Sequence, residues 1–322
     1  MATRFQVQKF TPDLVDATAL LLADRHRRHR LACPALDPQY EDPSRCAPLI
    51  AERLEEEGAL GAVAFGDEKA SGYVLTTRRG GTWGPNAWAE DAGSAGDGEA
   101  VRQAYAAIAG DLVDAGRRGH WAVVPPSDDD LVEAWFSLSF GLQHVYAMRE
   151  PVTADYEQSA RPGLEIRRAE SRDLRALAEL DLVLPRHVNQ SPVFSKVTIR
   201  PIEEVEAELA GDIDDPKYAI FVAEFEGRVI STLAGCSVDV STTWTPTMRP
   251  RSAALLGYAA TLPDARGLGA GRALTETYMA WARDEGYEWL VTDWRSTNLE
   301  ANRTWRALGF RPSFYRLHRL IG

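Results

Sequence analysis

Leu255-Leu256-Gly257-Tyr258-Ala259-Ala260-Thr261-Leu262-Pro263-Asp264-Ala265-Arg266-Gly267-Leu268-Gly269-Ala270-Gly271-Arg272 runs an apolar stretch into a glycine turn. Beyond it, Leu274, Tyr278, Trp281 and Ala282 recur at helical spacing, and Gly286 supplies a stop. A strand, a glycine turn and a helix in that order build an anion cradle. Glycines let backbone N–H groups approach without Cβ interference, and the helix aims its unpaired amides and positive dipole end at the same spot. Arg266 and Arg272 add fixed positive charge.

Spacing narrows the anion. A dinucleotide fingerprint needs glycines at the first, third and sixth positions, but the sixth residue from Gly267 is Arg272 and from Gly269 is Leu274. A triphosphate loop needs a terminal Gly-Lys-Ser/Thr, which this turn lacks. Downstream, Trp289-Leu290-Val291 reads as a buried strand and Asn298 to Leu308 as a second helix, closed by Gly309-Phe310.

The pattern Arg-Gly-Leu-Gly-Ala-Gly, with Leu262-Pro263 before it, resembles the acyl-CoA pyrophosphate loop of the GCN5-related N-acetyltransferase (GNAT) superfamily. Asn298, Ala301, Trp305, Leu308, Gly309 and Phe310 resemble the helix that follows that family's fifth strand. The resemblance covers residues 164–322. It implies an α/β fold of the layered α+β kind, a twisted mixed β-sheet flanked by helices, with acetyl-CoA as cosubstrate and no metal.

At 322 residues the chain is long enough for two domains, each able to bury its own core. No apolar run approaches the ~18 residues of a membrane span, and the N-terminus lacks a signal-peptide core, so a cytoplasmic protein without membrane contact is expected. Cys33, Cys46 and Cys236 form an odd set without a short-spaced pair, which indicates neither a disulfide framework nor a zinc site. A formal net charge of −11 argues against nucleic acid as partner and is compatible with a cationic amine. The basic run Arg25-His26-Arg27-Arg28-His29-Arg30 reads as a charged helix face or, alternatively, an anion patch. A monomer or a homodimer is expected.

The two halves repeat. Phe5-Gln6-Val7 parallels Leu164-Glu165-Ile166, and Val63 to Val74 parallels Val222 to Ile230 as a hairpin. Gly116, Trp121, Trp135, Leu138 and Phe140 stand at a constant spacing of 170 from Gly286, Val291, Trp305, Leu308 and Phe310. At that spacing, Arg266 to Gly271 aligns with Gly96-Asp97-Gly98-Glu99-Ala100-Val101, where Asp97 and Glu99 would repel a pyrophosphate. Two tandem GNAT-like domains are therefore expected: residues 1–152, degenerate and without cofactor, and residues 163–322, binding acetyl-CoA, joined by a linker over Pro151–Pro162.

Carried onto this sequence, the resemblance makes the backbone amide of Leu262 the group that polarises the thioester carbonyl. Ala260 and Thr261 would lie along the pantetheine arm, Arg266, Gly267, Leu268, Gly269, Ala270, Gly271 and Arg272 around the pyrophosphate, and Asn298 and Asn302 beside the arm. Asn298 is equally well read as a helix N-cap. The family's helix often carries a Tyr as acid where this chain has Trp305, and often a Glu as base where it has Tyr258. Indole cannot protonate a thiolate, so Trp305 reads as core. Tyr258, placed by strand alternation with Leu256, Ala260 and Leu262, and Tyr315 on the final strand are the candidate proton carriers. His187 and Phe194, in a loop joining the first two helices of this half, and Asp239, after the third strand, are candidates for substrate contact. The expected reaction is direct transfer of an acetyl group to a primary amine of a small molecule. The alternatives are acetylation of a protein N-terminus or Lys, and a non-catalytic acyl-CoA-binding regulatory module.

Overall fold

The computed structural model describes residues 5–81, 85–152 and 161–322. Most of the expected linker, residues 153–160, lies outside the described residues. The chain divides into two compact units. The first comprises Met1–Tyr146, Thr245–Pro250 and Pro312–Gly322; the second comprises Ala147–Trp244 and Arg251–Arg311.

The first unit contains β1 (Gln6–Lys9), α1 (Val15–Ala32), α2 (Pro43–Glu55), β2 (Leu60–Gly66), β3 (Lys69–Arg79), β4 (Asn86–Ala89), β5 (Ser94–Gly96), α3 (Gly98–Asp114), β6 (Gly119–Val124), α4 (Asp129–Ser137) and β7 (Gly141–Arg149), which runs across the boundary at Tyr146. Successive strand residues face opposite sides of a sheet, and the hairpin of β2 and β3 uses both. Ala62, Ala64 and Val74 pack with Ala104, Ile108 and Leu112 of α3 and Trp135 of α4. Val63, Tyr73 and Leu75 pack with Ala19 and Leu22 of α1 and Ile50 of α2. Helices thus cover both faces.

The second unit contains β8 (Leu164–Arg168), α5 (Leu174–Asp181), α6 (Val183–Val188), α7 (Ile202–Asp212), β9 (Tyr218–Phe225), β10 (Arg228–Ser237), β11 (Ala253–Thr261), α8 (Ala270–Asp284), β12 (Trp289–Arg295) and α9 (Leu299–Ala307). Its strands lie in the order β12-β11-β10-β9-β8. Leu177, Ile220 and Val222 form a core with Leu209 and Ile213 on the side of α5 and α7. α8 packs on β9, β10 and β11, where the fully buried Tyr278 donates its hydroxyl to the Leu255 carbonyl at 2.8 Å. A Cβ at Gly235 would collide with that hydroxyl, so glycine is required there.

The final strand, β13 (Arg311–Leu320), departs from the expected division at 163. It pairs antiparallel with β6, from Tyr315 opposite Val124 to Leu320 opposite Gly119, and Leu317 is buried in the core under α3 and α4. Thr245–Pro250 joins the first unit for a polar reason. The fully buried Asp91 carboxylate accepts from the Thr247 amide at 3.2 Å and hydroxyl at 2.6 Å, while bonding Arg53 at 2.6 Å. A buried carboxylate is tolerable only when paired and hydrogen-bonded in this way.

Candidate functional site

β11 and β12 pair in parallel from Ala253–Trp289 to Leu255–Val291. Immediately beyond, the β10 register shifts between Ala234, opposite Tyr258, and Gly235, opposite Leu256, leaving Gly257 as an extra residue. Such a bulge bends the strand that carries it, and past it, among the described residues, the parallel ladder between β11 and β12 does not continue. Thr292 of β12 stands at the divergence, its hydroxyl donating to the Leu256 carbonyl at 3.0 Å.

The alternation of an antiparallel ladder decides which β11 amides face this open edge. The Leu262 amide donates to the Ile230 carbonyl at 2.9 Å. Thr232 opposite Ala260 is two residues along in the same register, so Ala260 also turns its polar groups to β10, and its carbonyl accepts from the Ser231 hydroxyl at 2.7 Å. Ala259 and Thr261 therefore present N–H and C=O to the open edge. This corrects the expectation for Leu262, whose amide is already spent inside the sheet.

Tyr258 is corrected as well. Its hydroxyl donates to the Leu180 carbonyl on α5, and burial, reinforced by Asp181, pushes the phenol far above the usual tyrosine range. It is neither a base nor a free acid near neutrality. The bulge at Gly257 also breaks the strict alternation that grouped it with Leu256. Tyr315 belongs instead to the first unit, where it lies opposite Val124 and packs against that unit's core. Trp305 is 9% exposed and meets Phe310 edge to face, as core.

After Thr261 the chain turns through Leu262 and a helical turn at Pro263–Ala265 into Arg266 and the glycines. Gly267 and Gly269 have φ of +82° and +85°, the left-handed region that glycine enters without strain. Gly269 is the N-cap of α8 and supplies no side-chain cap. The first turn of α8 thus begins with backbone amides that no side chain caps, beside the open edge of β11. Both arginines have carboxylate partners: Arg266 meets Glu300 at 3.3 Å, and Arg272 meets the buried Glu276 at 2.7 Å.

Asn298 is the N-cap of α9, accepting from the Ala301 amide at 3.2 Å, and its Oδ1 also lies 3.4 Å from His187 Nε2. Asn302 Oδ1 accepts from Trp294 at 3.2 Å and Arg306 at 3.1 Å. In both residues these bonds use the oxygen rather than Nδ2. His187 sits in α6 rather than in a loop, and its Nε2 is 4.0 Å from Glu300. Arg266, Glu300, His187 and Asn298 thus form one polar chain, in which Glu300 is the member that sequence reasoning missed. Phe194 is 62% exposed at φ +48°. Asp239 closes a local turn with Ser237.

The first unit's matching turn is built differently. Asp97 is the N-cap of α3 and accepts from the Ala100 amide at 2.9 Å. The second acid at this helix head is Asp130 of α4, which accepts from the Gly98 amide at 2.7 Å, whereas Glu99 points to Arg102 at 2.8 Å. Arg25, 2% exposed, donates to the carbonyls of Asp91 and Ser94 beside this turn. The rest of the basic run is also engaged: His26 with the Asp37 carbonyl, Arg27 and Arg28 with Asp24, His29 with Ser127 and Arg30 with Glu41.

Residues 187–310 match the family model described as Acetyltransferase (GNAT) family. Human N-acetyltransferase 8B is 33% identical over 93 residues, 29% of this chain and 38% of that protein, so the match spans well under half of the relative's length. A GCN5-related N-acetyltransferase from Sphaerobacter thermophilus shares the fold over 99% of this chain and 96% of its own, with a TM-score of 0.56 and 14% identity. A tandem GNAT protein from the clavulanic acid biosynthesis pathway does so over 99% of both chains, with a TM-score of 0.52 and 12% identity. Among the described residues, no helix is long and apolar enough to cross a membrane. Residues 187–310 thus resemble the GNAT acetyltransferase family, and the chain as a whole shares its fold with a tandem GNAT protein.

Proposed function

We propose that the second unit is an acyl-CoA-dependent N-acetyltransferase, moving an acetyl group from acetyl-CoA to a primary amine of a small molecule by direct attack. The first unit, in this reading, holds no cofactor. The observation that carries the reading is the head of α8: glycine-built, without a side-chain cap, and adjoining the unpaired edge of β11.

The backbone amides of residues 267–271 would hold the pyrophosphate, with Arg266 and Arg272 as the nearby cations. Ala259 and Thr261 would bond the pantetheine arm in strand fashion, and Asn298 and Asn302 would border it with their Nδ2 donors. Acetyl-CoA supplies an acyl group already activated as a thioester. An edge amide aimed at its carbonyl oxygen stabilises negative charge there, an effect worth roughly 3 kcal/mol when preorganised. Neither Tyr258 nor Trp305 serves as acid, and a thiol of reference pKa near ~8.5 can leave as thiolate unaided.

The test is calorimetry of the full chain with acetyl-CoA, followed by release of free thiol across polyamines, aminoglycosides, amino acids and peptides. The reading expects one site per chain and thiol release that depends on a small amine. Two sites would overturn the assignment of the first unit. Release with peptides alone would select a protein acceptor, and binding without amine-dependent release would select a regulatory module.

A further inference from the structure

The two units carry an acid at the same place in the first turn of their last helix, Asp130 at the head of α4 and Glu300 at the head of α9, separated by the repeat spacing of 170. What each carboxylate reaches differs. Asp130 bonds a backbone amide at the head of α3, Gly98 N–H, at 2.7 Å. Glu300 instead bonds Arg266 at 3.3 Å, with its other oxygen 4.0 Å from His187. The residue that aligns with Arg266 in the first unit is Gly96, which has no side chain to hold Asp130 away from the helix.

We propose that Glu300 is an internal anion that competes with the cofactor pyrophosphate for Arg266, and so sets how tightly the cofactor is held and how fast it leaves. The proposal rests on the functional reading above. Its basis is charge and reach: one guanidinium at the mouth of the glycine turn, one carboxylate already on it, and a repeat in which the equivalent carboxylate has taken the anion's place on the helix. Arg266 and Glu300 are 42% and 53% exposed, so each can exchange partners without unpacking the fold. Glu300 acts through Arg266 and is a positioning residue.

An exposed pair of this kind is a weak competitor, and removing it also removes like-charge repulsion of the ligand. Calorimetry of the full chain with CoA should therefore show E300Q binding about three- to tenfold more tightly than wild type at low salt, with the gain shrinking as salt is raised. Dissociation followed by stopped flow should slow by a similar factor. Pantetheine, which has no pyrophosphate, is the control that a merely structural role would not pass: its affinity should be the same for both proteins. Unchanged or weaker CoA binding by E300Q, or an equal gain for pantetheine, would overturn the proposal. Absence of CoA binding by the wild-type protein is a different outcome, which overturns the functional reading itself.

Discussion

The heads of α3 and α8 are the same turn built to opposite ends. Both follow a sheet strand, and both begin with amides that a helix cannot satisfy internally. At α3 the protein satisfies them itself, with the Asp97 side chain on Ala100 and the Asp130 side chain on Gly98. At α8 the N-cap is a left-handed glycine that caps nothing. Beside α3, Arg25 takes the carbonyls of Asp91 and Ser94. Asp91 aligns with Thr261, whose backbone faces an open edge. Where α8 leaves its first amides without a side-chain cap, α3 fills the matching positions with its own carboxylates, and a buried guanidinium lies beside them.

The strongest way to break the contrast is to give α8 a cap of the α3 kind. Gly269→Asp places a carboxylate at the N-cap and a Cβ at φ +85°. Loss of amide donors and charge repulsion together should cost on the order of 3 kcal/mol, roughly a hundredfold or more in acetyl-CoA affinity. Calorimetry that still showed tight binding would mean that the pyrophosphate does not sit there. The reciprocal change acts on stability. Arg25→Met leaves the Asp91 and Ser94 carbonyls buried without donors and should destabilise the chain by about 3 kcal/mol in denaturant unfolding, with no second CoA site gained.

Acid should also separate the units. Burial, opposed by a bond to the Asp37 carbonyl, holds His26 down to about 4, and burial with Arg25 nearby holds His29 down to about 3. Both sit in the first unit and stay neutral in the folded state, while the unfolded chain protonates near the reference value of ~6.5. Between those values the unfolded state binds more protons. Stability fully present above pH ~6.5 is therefore lost as pH falls toward 4, by on the order of 2 kcal/mol per histidine at pH 5. Chemical denaturation at pH 7.5 and pH 5 measures this, and His26→Gln with His29→Gln should flatten the difference. An equal acid loss in that double variant would place the sensitivity elsewhere.

Much of this contrast was legible in the chain itself because its signals are local. Glycines at 267 and 269, a stop at Gly286, and an N-cap at Asn298 each act within a turn of where they stand, and the spacing of 170 revealed the repeat. The failures are all non-local. Which β11 amides face outward depends on pairing with β10 some 30 residues earlier and on a bulge at Gly257, so the amides free of β10 are those of Ala259 and Thr261 rather than that of Leu262. Tyr315 moved because β13 pairs with β6, a partner nearly 200 residues distant that hydrophobic period alone cannot choose. Asp130 and Glu300 escaped notice because their partners lie 32 and 34 residues away, although an acid at both repeat positions was a signal that could have found them.

The smallest effect concerns Tyr258, the one phenol that sequence placed beside the reacting carbonyl. In the structure its hydroxyl holds α5 to β11 through the Leu180 carbonyl, and burial followed by the Asp181 charge raises it well above the usual value. Tyr258→Phe keeps the ring and removes one hydrogen bond, which should cost about 1 kcal/mol of stability. A group protonated throughout pH 6–9 adds no limb to a pH–rate profile in that range. The variant should therefore show a slightly lower melting temperature and a thiol-release profile superimposable on wild type. A shifted or missing limb would show that the phenol titrates during turnover, and would return Tyr258 to the chemistry from which its hydrogen bond removes it.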